Sequence, residues 1–155
     1  MKIPGILFSI CLSTLLFSCR QIEVFEKDTH IPGYQWKSDF AATGSFIISD
    51  TASYNIYIVL RHTDAYLYNN IWLNVGLQPP GDSMHFQKLD ISLGNDANGW
   101  EGSGMNDIWE IRKIINDQPR RFKKSGEYRF NIRHIMRNDP LPSVMSAGLR
   151  VEKAQ

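Results

Sequence analysis

The chain has 155 residues, with 17 lysines and arginines against 16 acidic side chains and a formal net charge of +1. That balance excludes the strongly basic surface of a nucleic-acid binder. The length fits one domain large enough to bury a core without staples.

In chain order, Lys2 comes first and an apolar run over residues 6–17 follows. The run is shorter than the ~20 residues that a membrane-spanning helix needs. It closes on Leu16-Phe17-Ser18-Cys19, a small residue followed by cysteine. This resembles the lipobox of a bacterial lipoprotein signal, which implies cleavage before Cys19 and lipid on its sulfur and its new amino terminus. Each buried methylene contributes roughly 0.8 kcal/mol, so several acyl chains hold where a single one is marginal. The expected organisation is a signal peptide over 1–18, a short lipidated segment over 19–25 and one domain over 26–155. Cleavage discards Cys11 and lipid occupies Cys19, leaving no pair for an intrachain disulfide. The only charge lost is Lys2, so basic and acidic side chains then balance at 16 each. No Pro-, Gly- or Ser-rich tether follows Cys19, which places the domain close to the membrane surface.

Strand signals dominate the remainder. Segments 23–29 and 44–49 read as strands. Residues 54–60 are rich in β-branched and aromatic side chains, with Tyr54, Ile56, Ile58 and Leu60 on one face and Tyr57 and Val59 on the other. Both faces are apolar, so a central strand is expected. Residues 70–77 form the next strand, and Pro79-Pro80-Gly81-Asp82 a turn. Met84, Phe86, Leu89, Ile91 and Leu93 support a third strand, with a bulge where the alternation shifts between Phe86 and Leu89. Residues 94–99 read as a turn loop around Asn98-Gly99. Residues 107–116 carry apolar side chains at helical and at strand spacing; the surrounding strands favour a strand. Residues 126–133 alternate with Tyr128, Phe130 and Ile132 inward. Residues 136–146 read as a loop or short helical turn, and 148–153 as the last strand. The basic run over 120–124 reads as a solvated loop or strand edge. Short strands separated by turns indicate an all-β antiparallel β-sandwich, Ig-like or jelly-roll-like.

Little in the sequence carries chemistry. His30, His62, His85 and His134 have no second ligand at metal spacing, so no metal site and no cofactor are expected. Residues 96–99 lack the EF-hand pattern. There is no nucleophile elbow and no phosphate-binding glycine loop. No catalytic residue is marked, although any two carboxylates could converge in a fold. The aromatic side chains, among them Tyr34, Trp36, Tyr54, Tyr57, Tyr66, Tyr68, Trp72, Trp100 and Trp109, are read first as core material, with a stacking platform as the alternative.

The segments Tyr54-Asn55-Ile56-Tyr57-Ile58-Val59-Leu60-Arg61-His62-Thr63 and Tyr66-Leu67-Tyr68-Asn69-Asn70-Ile71-Trp72-Leu73 resemble the gliding motility lipoprotein GldH family of the Bacteroidota. So do Trp100-Glu101-Gly102-Ser103-Gly104, Gly126-Glu127-Tyr128-Arg129-Phe130, Met136-Arg137-Asn138-Asp139-Pro140-Leu141 and the lipobox. Leu67 departs from the family's proline. The resemblance implies a non-enzymatic lipoprotein of the cell envelope, tied to the gliding apparatus and its linked secretion system. It implies other envelope proteins as partners. Arg20 rather than aspartate follows Cys19, which favours the outer membrane, and Arg20-Gln21-Ile22-Glu23 has no acidic cluster, which favours its periplasmic face. Arg61, His62 and Asn70 around the Tyr66/Tyr68 loop, with Trp72, are the candidate partner-docking residues. A membrane-anchored carbohydrate-binding module is the alternative.

Overall fold

The computed structural model describes residues 24–154, which form fourteen β-strands and one 3-10 turn (Pro32–Tyr34). The expected signal over 1–18 and the lipidated Cys19 lie outside the described residues, as do positions 20–23.

The fold is built around the strand whose two faces are both apolar. β4 (Ser53–Thr63) lies between β14 (Val144–Lys153) and β10 (Ile108–Ile114). Tyr54, Ile56, Ile58, Leu60 and His62 alternate into the interior, where all are buried. β1 (Val24–His30) extends the sheet beyond β14, and β9 (Ser103–Met105) extends it beyond β10. The short β11 (Arg120–Arg121) pairs with the start of β4. The second sheet contains β3 (Ala42–Ile48), β12 (Gly126–His134), β5 (Asn70–Gln78) and β6 (His85–Ser92), in that spatial order. Every pairing is antiparallel. Two small pairs complete the strands: β2 (Gln35–Trp36) with β13 (Leu141–Pro142), and β7 (Gly94–Asn95) with β8 (Gly99–Trp100). The result is the expected all-β sandwich.

Packing between the sheets holds the fold. Trp36, Ile58, Leu60, Ile71, Leu73, Phe130, Ile132 and Leu149 are among the buried core. At the end where β1 begins and β14 finishes, aromatic rings fill the interior. Phe46 stacks on Tyr128 at 5.6 Å, and Phe122 meets Tyr128 at 4.7 Å and Tyr54 at 5.6 Å. Phe122 belongs to the basic run, whose Arg120 and Arg121 lie exposed on a strand edge as expected. The connections over 64–69, 93–107 and 135–143 gather at the opposite end.

The structure resolves the open readings and corrects others. Residues 108–114 are a strand: Ile111 packs inward opposite Leu60. No bulge interrupts β6; its register with β5 is continuous from His85↔Leu77 to Ser92↔Asn70. The alternation shifts because Phe86 faces outward, where it covers Gly76: a Cβ on that glycine would lie 2.6 Å from the Phe86 ring. β14 begins at Val144 rather than 148, because an irregularity between Val144 and Ser146 carries the strand through a change of register. Residues 136–143 contain no helical turn.

Candidate functional site

Strand alternation separates the six candidate docking residues. Arg61 and His62 are neighbours in β4 and therefore point to opposite faces. Arg61 is outside, paired with Glu110 at 2.6 Å. It ends a charged chain across four strands: Glu110 also meets Arg112 at 2.9 Å, Arg112 meets Glu26 at 3.2 Å, Glu26 meets Arg150 at 2.8 Å and Arg150 meets Glu152 at 2.8 Å. Burial raises the Glu26 carboxyl, but hydrogen bonds from Arg150 and Arg112 outweigh it and hold the group below its usual range. Tyr57 Oη donates to Glu152 at 2.8 Å. Arg61 is thus one member of a mutually satisfied surface network.

His62 is inside, 1% exposed. Its ring lies 4.6 Å from Trp100 and 5.5 Å from Tyr66; Tyr66 in turn lies 5.8 Å from Tyr68. Tyr66 is buried, and its hydroxyl donates to the Asn70 carbonyl at 3.1 Å, so desolvation pushes its pKa far up. The loop is pinned by Tyr66 N–H to Thr63 O at 3.1 Å and Asp64 N–H to Asp107 O at 2.8 Å. His62 Nδ1 donates to the Thr63 carbonyl at 2.9 Å, which leaves Nε2 buried without a partner. Burial therefore lowers the His62 pKa and keeps the ring neutral. His62 and Tyr66 support the loop from beneath and are not available as rim groups.

His134, buried against Trp36 with ring centroids 5.4 Å apart, shows the same behaviour. Burial lowers its pKa despite Asp139 at 4.0 Å, so this approach is not an ion pair at neutral pH. Two depressed histidines set the direction of the acid response. The unfolded chain takes up protons near the ordinary value of 6.5, before the folded one does. Stability is therefore full above pH 6.5 and falls as the pH drops below it. Chemical denaturation at steps from pH 7.5 to pH 5 should show this decline, and His62→Gln should make it shallower, with His134 supplying what remains. A curve level across that interval would contradict the assignment.

Asn70 and Trp72 lie on the outer face of the four-stranded sheet. Asn70 Nδ2 donates to Asp90 Oδ1 at 2.6 Å. Trp72 is 43% exposed and sits between Asp90 on β6 and Ile135, whose N–H donates to the Trp72 carbonyl at 2.9 Å. Ile135 is 42% exposed, so the two make an adjoining apolar pair at the loop end of the sandwich. Sequence reasoning missed Ile135. The alternation of residues 128–134 extended by one position places it outward, beside Arg133's face. Tyr68 is half-buried at the margin. Of the four tryptophans, Trp36 is inside, Trp100 and Trp109 are half-buried, and Trp72 stands out. They form no flat exposed row on which a sugar could stack.

A family model described as GldH lipoprotein matches residues 23–151. The gliding motility lipoprotein GldH of Flavobacterium johnsoniae is 28% identical over 160 residues, spanning 98% of this chain and 97% of that protein. A gliding motility lipoprotein GldH homolog of Christiangramia forsetii is 24% identical over 156 residues, spanning 95% and 94%. Among solved structures, a chain from infectious bursal disease virus Gx strain shares 12% identity and a TM-score of 0.30, over 85% of this chain and 31% of that one.

Proposed function

Because the chain belongs to the GldH lipoprotein family, we propose that it is anchored to the cell envelope by lipid on Cys19 and acts there by docking other envelope proteins, without catalysis. The partners are components of the gliding machinery and its linked secretion system. The membrane is the outer one, with the domain on its periplasmic side. The observation that carries the docking reading is the adjoining exposed pair Trp72–Ile135 at the loop end of the sheet face, where a tryptophan of β5 and an aliphatic side chain just past the end of β12 lie opposite each other. A tryptophan beside a branched aliphatic residue, rimmed by Asn70, Asp90 and Arg133, has the composition of an interface centre with a polar margin. Its position fits the anchor. β1 begins at the far end of the strands, so Val24, the first described residue, lies away from this patch.

Trp72→Asp tests the reading. Its side chain is outside, so the fold should survive. Loss of a central tryptophan contact costs about 2 kcal/mol, roughly a thirtyfold drop in affinity. Cross-linking in intact cells, read by mass spectrometry, should recover gliding or secretion components with the native chain and lose them with the variant. Unchanged recovery with Trp72→Asp, or recovery of polysaccharide alone with the native chain, would overturn it.

A further inference from the structure

The sandwich has four lateral edges, and they are not equivalent. β1 and β3 pack against each other along one side, so each shields the other. β9, at the far edge of the larger sheet, has three residues. β6 differs: it is eight residues long, pairs with β5 alone, and contains no proline, bulge or register shift. Such an edge is a ready template for another strand.

The hydrogen-bond phase shows what this edge offers. Leu93 N–H donates to Asn69 O at 2.7 Å, which continues the β5–β6 ladder. Antiparallel alternation then turns the backbone groups of Gln87, Leu89 and Ile91 toward β5, and those of Phe86, Lys88, Asp90 and Ser92 toward the free side. Lys88 and Asp90 are exposed and share the outer face. Asn70 holds the Asp90 carboxylate in place from the neighbouring strand.

We propose that β6 pairs antiparallel with β6 of a second copy of this chain, about a twofold axis through Leu89. In that register Lys88 lies opposite Asp90 of the second copy, and Asp90 opposite its Lys88, while the free backbone groups of both strands meet. Moving the register to the next hydrogen-bonding positions sets Lys88 against Lys88 or Asp90 against Asp90, and like charges directly opposite repel. The strand is thus complementary to itself in one register. The pairing joins the two four-stranded sheets into one. It leaves both larger sheets, and so both β1 strands, on the same side of the joined sheet. Two chains tethered through their N-termini can therefore share one membrane.

The test uses the full-length chain in its native membranes. Leu89 faces Leu89 of the second copy at a position that is not hydrogen-bonded, where Cα atoms approach to about 4.5 Å, within disulfide reach. Leu89→Cys should yield a disulfide-linked dimer on mild oxidation, at least tenfold more than Gln87→Cys, which has no symmetric partner in this register. Adding Asp90→Lys, or separately Lys88→Glu, should reduce the dimer at least tenfold. The swapped pair Lys88→Asp with Asp90→Lys should restore it. Equal cross-linking of Leu89→Cys and Gln87→Cys would overturn the proposal, as would a dimer indifferent to both charge changes or a swap that fails to rescue.

Discussion

Gly148→Val should detach β1 and destabilise the domain severely. Gly148 lies in β14, opposite Asp28 of β1 and Val59 of β4. A Cβ at this position would sit 2.2 Å from the Lys27 carbonyl oxygen and 2.5 Å from the Asp28 Cα. Both obstacles are backbone, and a backbone cannot swing aside as a side-chain end does. Either β1 leaves the sheet or the ladder bends. Overpacking ordinarily costs about 1–3 kcal/mol, and a clash with the backbone of two consecutive β1 residues belongs at or above the top of that range. The consequences extend beyond one ladder. Phe25 of β1 packs on Phe46 at 5.6 Å and Phe130 at 6.4 Å, and Glu26 carries the ion pairs to Arg150 and Arg112. Hydrogen exchange should therefore show the β1 amides unprotected in the variant, with a lowered unfolding midpoint. Gly148→Ala is the milder version with the same sign. A Gly148→Ala variant within about 0.5 kcal/mol of the native chain would contradict this packing.

Trp36→Ala should cost about 3–5 kcal/mol, the usual range for emptying a large buried aromatic site. Trp36 is fully buried, its Nε1 donates to the Phe40 carbonyl at 2.9 Å, and its ring meets His134 edge-on. Removing the indole leaves a void and an unpaired carbonyl. Against a total stability of about 5–15 kcal/mol, this change alone leaves the fold marginal. Urea denaturation should show it directly. A loss below about 1 kcal/mol would mean that this end of the sandwich relaxes far more freely than its packing implies.

Much of the architecture could be read from local pattern. The double apolar face of residues 54–60 identified a central strand, and the clean alternation of residues 126–133 identified one with a single buried face. The same rule, extended two residues past Leu60, places His62 on the core face with Ile56 and Ile58. Choosing Arg61 and His62 together as rim groups used their nearness in sequence, whereas in a strand adjacent side chains point opposite ways. Phe86 misled for a different reason. It is an outward side chain covering a glycine on the next strand, and without the pairing partner its exposure resembles a register change. The charged chain from Arg61 to Glu152 was not legible at all. It depends on β1, β14, β4 and β10 lying side by side, and those neighbours are far apart in sequence. Trp72 was identified as a candidate, but its companion Ile135 becomes visible only when β12 is laid beside β5.

The proposed role requires that the chain be held at the envelope through Cys19. Mass spectrometry of the N-terminal peptide, taken from protein isolated from native membranes, tests this most directly. The expected species begins at Cys19 and carries the added mass of acyl chains on that residue. A chain that begins elsewhere, or a Cys19 without lipid, would contradict it.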